Sequence, residues 1–574
     1  MLRGHELPPP RFATLGEMVA SAGSSAAGLS FIDAREQQRA LSFGSLRSRA
    51  RAAAAGLRAV GIGEGDRVAL VLPTGEEFMD AFFGAVLAGA VPVPLYPPVR
   101  LGRLDEFHAR TARLFAASGA RLVLTDRRVG RLLGKAVAGA RPELGCRTVA
   151  DLPQAGEWEA APRAEAIALV QFSSGSTVDP KPVALTHANV LANLAAIDSF
   201  IPGAEQSGVS WLPLYHDMGL IGCLLLALYH PGNLTLIPPE LFLTRPALWL
   251  RALSRTRATL TVAPNFAFGL CLKRVRDEDL AGCDLSSLRL VLDGAEPIAP
   301  DVLRRFGERF ARFGFDARAV LPVYGLSEAT LAVTFSRPRK GLRTSMVDSG
   351  ELALRARATP GSGRELVSVG TPVPGVDVRV VAGDGAEAPD GSVGRIEARG
   401  PSIMSRYLGA ADPALRDGWF DTGDLGVVLG GELHVCGRAK DVVILRGANH
   451  APQEFEDALH GLPGVREGCA VAVGFVPEDA AGEELLLLVE RKGKLEEDAV
   501  RARVVERTGV RPHTVAILEP GTLPRTSSGK LRRAEALRQY LAGALEPPRP
   551  ATRLLVLREA AASLAAFARL RLAR

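Results

Sequence analysis

From about residue 30 to residue 335 short apolar runs alternate with helical patterns. Arg67-Val68-Ala69-Leu70-Val71-Leu72 reads as a strand and 76–88 as a helix. Arg121-Leu122-Val123-Leu124, Val209-Ser210-Trp211-Leu212, Leu234-Thr235-Leu236-Ile237, Thr259-Leu260-Thr261-Val262 and Leu288-Arg289-Leu290-Val291-Leu292 are further strands, with helices predicted over 247–256 and 301–313. Short strands that are apolar along their whole length are buried on both faces, which occurs where helices cover both sides of a parallel sheet. From 368 to 428 the pattern changes to short strands with Gly and Pro turns, and a small β-rich subdomain is expected there. After Gly437-Arg438-Ala439-Lys440-Asp441 a third pattern begins: a strand over 442–445, a helix over 452–459, strands over 468–476 and 485–490, then a helix over 496–507. That is a compact α+β unit of about a hundred residues, the usual size of a small domain.

The expected fold class is therefore α/β. A large N-terminal domain of helix-covered, mainly parallel sheets plus a β-rich subdomain occupies 1–438, and a small mobile α+β C-terminal domain follows over 439–545. Residues 546–574 form a Pro-rich spacer and a Leu/Ala/Arg-rich terminal helix with a solvated arginine face.

The net charge of +6 is small for 574 residues, and no basic block interleaved with aromatics points to nucleic acid. The weakly polar stretch 82–99 is broken by Gly84, Gly89, Pro92, Pro94, Pro97 and Pro98, and the run 220–229 is about half the length of a membrane span. No transmembrane segment is expected, and residues 1–10 lack the apolar core of a signal peptide. The six cysteines are scattered without a Cys-x-x-Cys pair, which weighs against metal or disulfide frameworks. A cytoplasmic setting fits these features.

The segment Phe172-Ser173-Ser174-Gly175-Ser176-Thr177-Val178-Asp179-Pro180-Lys181-Pro182 follows the apolar run Ile167-Ala168-Leu169-Val170 and precedes Thr186-His187, which open a helical pattern. It packs hydroxyls, a glycine and a lysine into what reads as one strand-to-helix connection. Polyphosphate oxygens are dense acceptors, and such an array supplies donors and one cation. The alternative is a Ser-rich surface loop. Lysine is scarce in this arginine-rich chain, with only eight, and Lys181, Lys440 and Lys530 all lie in candidate loops. A lysine is a compact charge on a flexible stem, suited to following a moving phosphate.

Tyr324-Gly325-Leu326-Ser327-Glu328-Ala329-Thr330 follows the strand 319–323, at the carboxyl edge where open α/β sheets bind ligands. Glu328 is a candidate magnesium ligand and Tyr324 an aromatic face for a base. Gly294-Ala295-Glu296-Pro297 sits at another strand end. Asp421-Thr422-Gly423-Asp424-Leu425 reads as a turn whose carboxylates suit a ribose diol, with Arg438 fourteen residues after Asp424. Thr526-Ser527-Ser528-Gly529-Lys530 presents a lysine on a loop of the small domain, and His216-Asp217 serves either acid–base work or capping.

Together and in this order, these motifs resemble the adenylate-forming superfamily over nearly all of residues 12–542. Trp211-Leu212-Pro213-Leu214-Tyr215-His216-Asp217-Met218-Gly219-Leu220-Ile221-Gly222, the Tyr324 to Thr330 motif, and Ile444-Leu445-Arg446-Gly447-Ala448-Asn449-His450 look most like a fatty acyl-AMP ligase. So does the polar segment between Ser336 and Ser368, where such ligases carry an insertion that restrains the small domain and disfavours free CoA. The resemblance implies activation of a fatty acid by ATP with Mg2+, then acyl transfer to the phosphopantetheine thiol of an acyl carrier protein. It assigns Ser173, Ser174, Gly175, Ser176, Thr177 and Lys181 to the ATP phosphates, and Glu328 and Thr177 to magnesium. Gly294, Ala295, Glu296 and Tyr324 would line the adenine, with Gly325 also in the nucleotide site, and Asp424 and Arg438 would take the ribose. Lys530 would reach the carboxylate and α-phosphate from the small domain, which turns about Lys440. Val178 and Pro182 stand where the family usually has glycine. A fatty acyl-CoA synthetase using free CoA, and a degenerate nucleotide-binding protein without activity, are the alternatives.

Overall fold

The computed structural model describes the chain except residues 99–100, 174–179, 202–205, 411–413, 478–481, 527–528, 549–551 and 573–574. Six strands pair in parallel in the spatial order Gly28–Ile32, Asn233–Leu236, Ser207–Ser210, Leu260–Ala263, Leu290–Asp293 and Val320–Gly325. A second sheet, Val91–Leu95, Arg67–Val71, Leu122–Thr125 and Gly145–Thr148, is parallel throughout. Its strand Arg67–Val71 shows why the run is apolar without alternation. Val68 and Leu70 join the core containing helices Phe43–Ala59 and Glu76–Leu87, while Ala69 and Val71 join the core containing helices Leu104–Ser118 and Arg127–Ala140. Helices on both faces leave no polar side.

The β-rich stretch is not a separate sheet. It continues the main sheet, antiparallel, from Val320–Gly325 through Ala332–Phe335, Gly363–Pro372, Glu432–Arg438, Phe420–Leu429, Gly394–Arg399 and Asp377–Val381 to Leu2–Arg3. The link between Gly325 and Ala332 is too short for a parallel crossover, which needs a dozen or more residues. The direction of the sheet therefore reverses at the Tyr324 motif.

The small C-terminal domain has a three-stranded sheet, Val465–Phe475, Glu484–Arg491 and Thr514–Leu518. Helices Pro452–Ala458 and Glu497–Thr508 pack on one face, helix Arg533–Leu541 on the other. The terminal helix Arg553–Leu572 keeps Arg558 and Arg569 exposed, and its other side docks on the helix Arg127–Ala140 of the large domain. The Gly134 amide donates to Ser563 Oγ at 2.7 Å, and Lys135 Nζ lies 2.7 Å from Glu559. A Cβ at Gly134 would stand 2.1 Å from the Ser563 carbonyl oxygen, so this approach requires glycine. No helix among the described residues is long and apolar enough to cross a membrane.

Candidate active site

The carboxyl ends of the parallel strands open into a cavity of about 450 Å³. One end is charged, with Lys181, Asp217, Glu328, Arg438, Lys440 and Lys530 in its walls; the other is apolar, with Leu226, Leu260, Leu290, Leu292, Leu331 and Phe335. Strand geometry explains the apolar part. Leu290 and Leu292 alternate with Val291 and Asp293, so one face of a single strand supplies two cavity side chains.

Asp424 and Arg438 belong together because of a hairpin. Asp421 to Leu425, expected as a turn, lies inside the strand Phe420–Leu429, with Gly423 at φ +72. This strand pairs with Glu432–Arg438 in a register that sets Asp424 opposite Arg438. Arg438 Nε lies 3.1 Å from Asp424 Oδ1, and Tyr324 Oη donates to Asp424 Oδ2 at 2.7 Å. Burial raises the Asp424 carboxyl above the usual carboxylate range against the pull of Arg438. Burial, with Asp424 beside it, pushes the Tyr324 hydroxyl well above 10, so it stays a donor.

Glu328 is fixed through its neighbours. The Tyr407 hydroxyl donates to Glu328 Oε1 at 3.0 Å, the Glu328 carbonyl accepts from the Met404 amide at 2.8 Å, and burial raises its carboxyl. Lys181 Nζ stands 4.7 Å from the centre of the Tyr407 ring, a cation–π arrangement. Tyr407 was not legible in the sequence: a single tyrosine in a Ser/Arg/Gly segment has no spacing that marks it. It arrives here through a bridge between Val183 and Tyr407.

The expected strand-to-helix connection is instead a β-hairpin. Ile167–Phe172 pairs antiparallel with Pro182–Thr186, and only then does the helix His187–Asp198 begin, with a capping box between Thr186 and Asn189. Pro182 opens its strand opposite Phe172, a position that needs no amide donor in the ladder. Its carbonyl accepts from the Leu408 amide at 2.8 Å. The loop neck is closed by the Ser173 amide donating to the Lys181 carbonyl at 2.9 Å and the Lys181 amide donating to Ser173 Oγ at 3.1 Å. Ser174, Gly175, Ser176, Thr177 and Val178 lie outside the described residues. Ser173 and Lys181 both line the cavity.

Of the Gly294 motif, Ala295 lines the cavity, with φ +70, a left-handed conformation that a non-glycine residue adopts at a cost. Gly294 packs on the next strand, where a Cβ would meet Val323 Cγ2 at 2.7 Å. The Glu296 carboxylate turns aside to accept from the Phe266 amide at 2.6 Å. Tyr324 and Gly325 both line the cavity.

His216 caps the helical turn at Asp217–Gly219, its Nδ1 2.6 Å from Asp217 Oδ1. Ser327 donates to Asp217 Oδ2 at 2.5 Å. Burial alone would raise the Asp217 carboxyl, but His216 and Ser327 hold it down at about 2. Lys530 enters from the small domain. Burial lowers its ammonium below 10.5, and the nearby Glu296, Asp217 and Asp424 carboxylates oppose that shift. Lys440, in the turn Ala439–Asp441, is likewise lowered by burial and by Arg438. Cations and carboxylates displaced from their ordinary ranges in one cleft are characteristic of a reaction site.

A family model described as AMP-binding enzyme matches residues 22–408. A protein of Caulobacter vibrioides, provisionally named an acyl-CoA synthetase, is 37% identical over 93% of this chain and 96% of its own length. A long-chain fatty acid–AMP ligase of Mycobacterium marinum is 36% identical, covering 83% of this chain and 87% of its own. One of the solved fatty acyl-adenylate ligases of E. coli and L. pneumophila superimposes with a TM-score of 0.88 at 36% identity, over 94% of this chain and 99% of its own. With such matches covering most of its length, the chain belongs to the AMP-binding enzyme family and is an ATP-dependent ligase of the adenylate-forming fold.

Proposed function

We propose that the protein activates a fatty acid as its acyl-adenylate, releasing pyrophosphate, and passes the acyl group to the phosphopantetheine thiol of an acyl carrier protein. The observation that carries the first step is one cavity joining a charged end to an apolar branch. An acid lying in the branch brings its carboxylate to the charged end, where ATP binds. The reaction joins two anions, so positioning and charge neutralisation supply most of the acceleration. In this reading Ser173 and Lys181 hold the β- and γ-phosphates, together with Ser174, Gly175, Ser176 and Thr177. Asp424 and Arg438 take the ribose, and Ala295, Tyr324 and Gly325 line the adenine, with Gly294 and Glu296 shaping the wall behind them. Lys530 bridges carboxylate and α-phosphate.

The cavity fits a magnesium ion at Glu328, whose carboxylate is a hard oxygen donor held in place by Tyr407. With Thr177 as the second ligand, the ion would neutralise phosphate charge.

Transfer to a carrier protein is the finer part of the proposal. Its support is the segment between Ser336 and Ser368, which forms the strand Thr344–Asp348 and the helix Ser349–Arg355; that helix packs against Ala448–His450 of the small domain. Such packing restrains rotation of 439–545 about Lys440, the movement that admits free CoA in the alternative reading. The six cysteines are unpaired thiols, which suits a cytoplasmic protein. The test is acid-dependent ATP–pyrophosphate exchange, followed by acceptor competition. Acyl-carrier product with little acyl-CoA is expected; abundant acyl-CoA would establish the synthetase alternative, and no exchange with any fatty acid would remove the adenylation reading.

A further inference from the structure

The apolar branch runs along one helix. From Asp217 to Tyr229 the chain is helical, with a π-helical stretch at Leu220–Leu225 in which the Leu226 amide reaches back to the Ile221 carbonyl. π-Helical insertions recur where a helix borders a functional site. Met218, Gly222 and Leu226, four residues apart, all line the cavity, Met218 next to Asp217 at the charged end. Gly222 leaves the branch its width, since a Cβ there would stand 2.8 Å from Leu331 Cδ2.

Leu226 has a different position. Together with Ile201, Gly222 and Leu260 it lines both the main cavity and a second, much smaller one of about 30 Å³. The walls of that rear space are mostly apolar, with Val209, Ala227 and Leu234 among them, so the apolar lining continues behind this partition. Leu226 itself is buried, with 6% of its surface exposed. Leu226 thus stands between the two spaces, where an acyl chain extending along the branch would meet it.

We propose that Leu226 is the residue that ends the acyl branch and sets the longest straight-chain acid the enzyme activates efficiently. The proposal rests on the adenylation reading above and adds the length limit to it. A floor discriminates sharply because the interior is close-packed: one methylene too many displaces side chains that have nowhere to go. Accepting or rejecting one methylene changes kcat/KM by about 10-fold or more.

The experiment measures acid-dependent ATP–pyrophosphate exchange for a series of straight-chain saturated acids with the unaltered full-length chain, Leu226→Ala and Leu226→Phe. The readout is the ratio of kcat/KM for an acid two carbons longer than the native optimum to that for one two carbons shorter. This ratio does not depend on the fraction of active protein. Leu226→Ala joins the two cavities and is expected to raise the ratio at least about 10-fold, and Leu226→Phe to lower it by a similar factor. A ratio unmoved in both variants overturns the proposal. So does loss of exchange with the short acids in both, because a floor acts only on chains that reach it. Absence of exchange with every acid in the unaltered chain defeats the adenylation reading itself, whereas a normal profile left unchanged by both variants defeats only the role of Leu226.

Discussion

In the proposed reaction, replacing Lys530 by alanine separates the electrostatic work assigned to the lysine from the integrity of the loop that carries it. The loop is held by bonds that alanine keeps. The Thr526 amide donates to the residue 530 carbonyl at 2.7 Å, the residue 530 amide donates to Thr526 Oγ1 at 3.0 Å, and Arg525 Nη1 donates to the Gly529 carbonyl at 2.8 Å. What alanine removes is one ammonium from a cavity wall that also carries Asp217 and Glu328. Loss of one preorganised group that faces charge developing in a transition state lowers kcat by about 10²–10³, or roughly 3–4 kcal/mol. ATP–pyrophosphate exchange is therefore expected to fall by that factor. ATP affinity by direct titration and the thermal midpoint should barely move, since Ser173 and Lys181 lie on another element. In the proposed role the protonated lysine is the useful form, and burial lowers its pKa below 10.5, so exchange should decline as pH rises through that lowered value. Lys530→Arg, which stays charged, should lose this alkaline limb while recovering part of the rate. An unchanged exchange rate in Lys530→Ala would refute the assignment; an equal fall in ATP affinity would make Lys530 a ground-state binder instead.

His187 is buried with Nδ1 accepting from the Leu15 amide at 3.1 Å, and burial lowers its pKa from 6.5 to about 4. Below pH 6.5 the unfolded chain takes up the proton first, so stability present above 6.5 is lost as pH falls toward 4, by about 3 kcal/mol in all. Urea midpoints should thus fall between pH 7 and pH 5, and fall less in His187→Gln; parallel slopes would contradict this. Asp293 is fully buried, with neither carboxyl oxygen hydrogen-bonded among the described residues, and burial raises its pKa well above 3.8. A raised acid costs stability as pH rises above 3.8, so Asp293→Asn should stabilise by roughly 1–3 kcal/mol at pH 8 and less at pH 5. A variant less stable than the parent at pH 8 would show that the carboxylate has a partner. Gly134→Val should undock the terminal helix and speed proteolytic cleavage after Leu545, and an unchanged digestion pattern would argue that the helix contributes no anchoring.

Helix-covered parallel sheets were legible because burial on both faces leaves a continuous apolar run, as in Arg67–Val71. The strand-end positions of Ala295 and Tyr324 followed from the same pattern. The hairpin at 167–186 was hidden because Pro182-Val183-Ala184-Leu185 is a short apolar run ending in a helix cap, and periodicity cannot assign so short a segment. The Asp424–Arg438 pair looked like two motifs fourteen residues apart until strand register set them opposite each other. Tyr407 and the fixing of Asp217 by Ser327 depend on contacts between segments 79 and 110 residues apart, which local pattern does not encode.

The sequence by itself determined the layered α/β architecture, the small following domain and most of the charged residues of the cleft. These depend on local apolar periodicity and on residue chemistry, both of which can be read along one chain. Tertiary structure alone decided that the antiparallel strands extend the main sheet, that the terminal helix returns to Gly134, and that the charged cleft continues into an apolar branch lined by Leu226. Each of these depends on which distant surfaces meet and how much space they leave, and that is settled by packing in three dimensions.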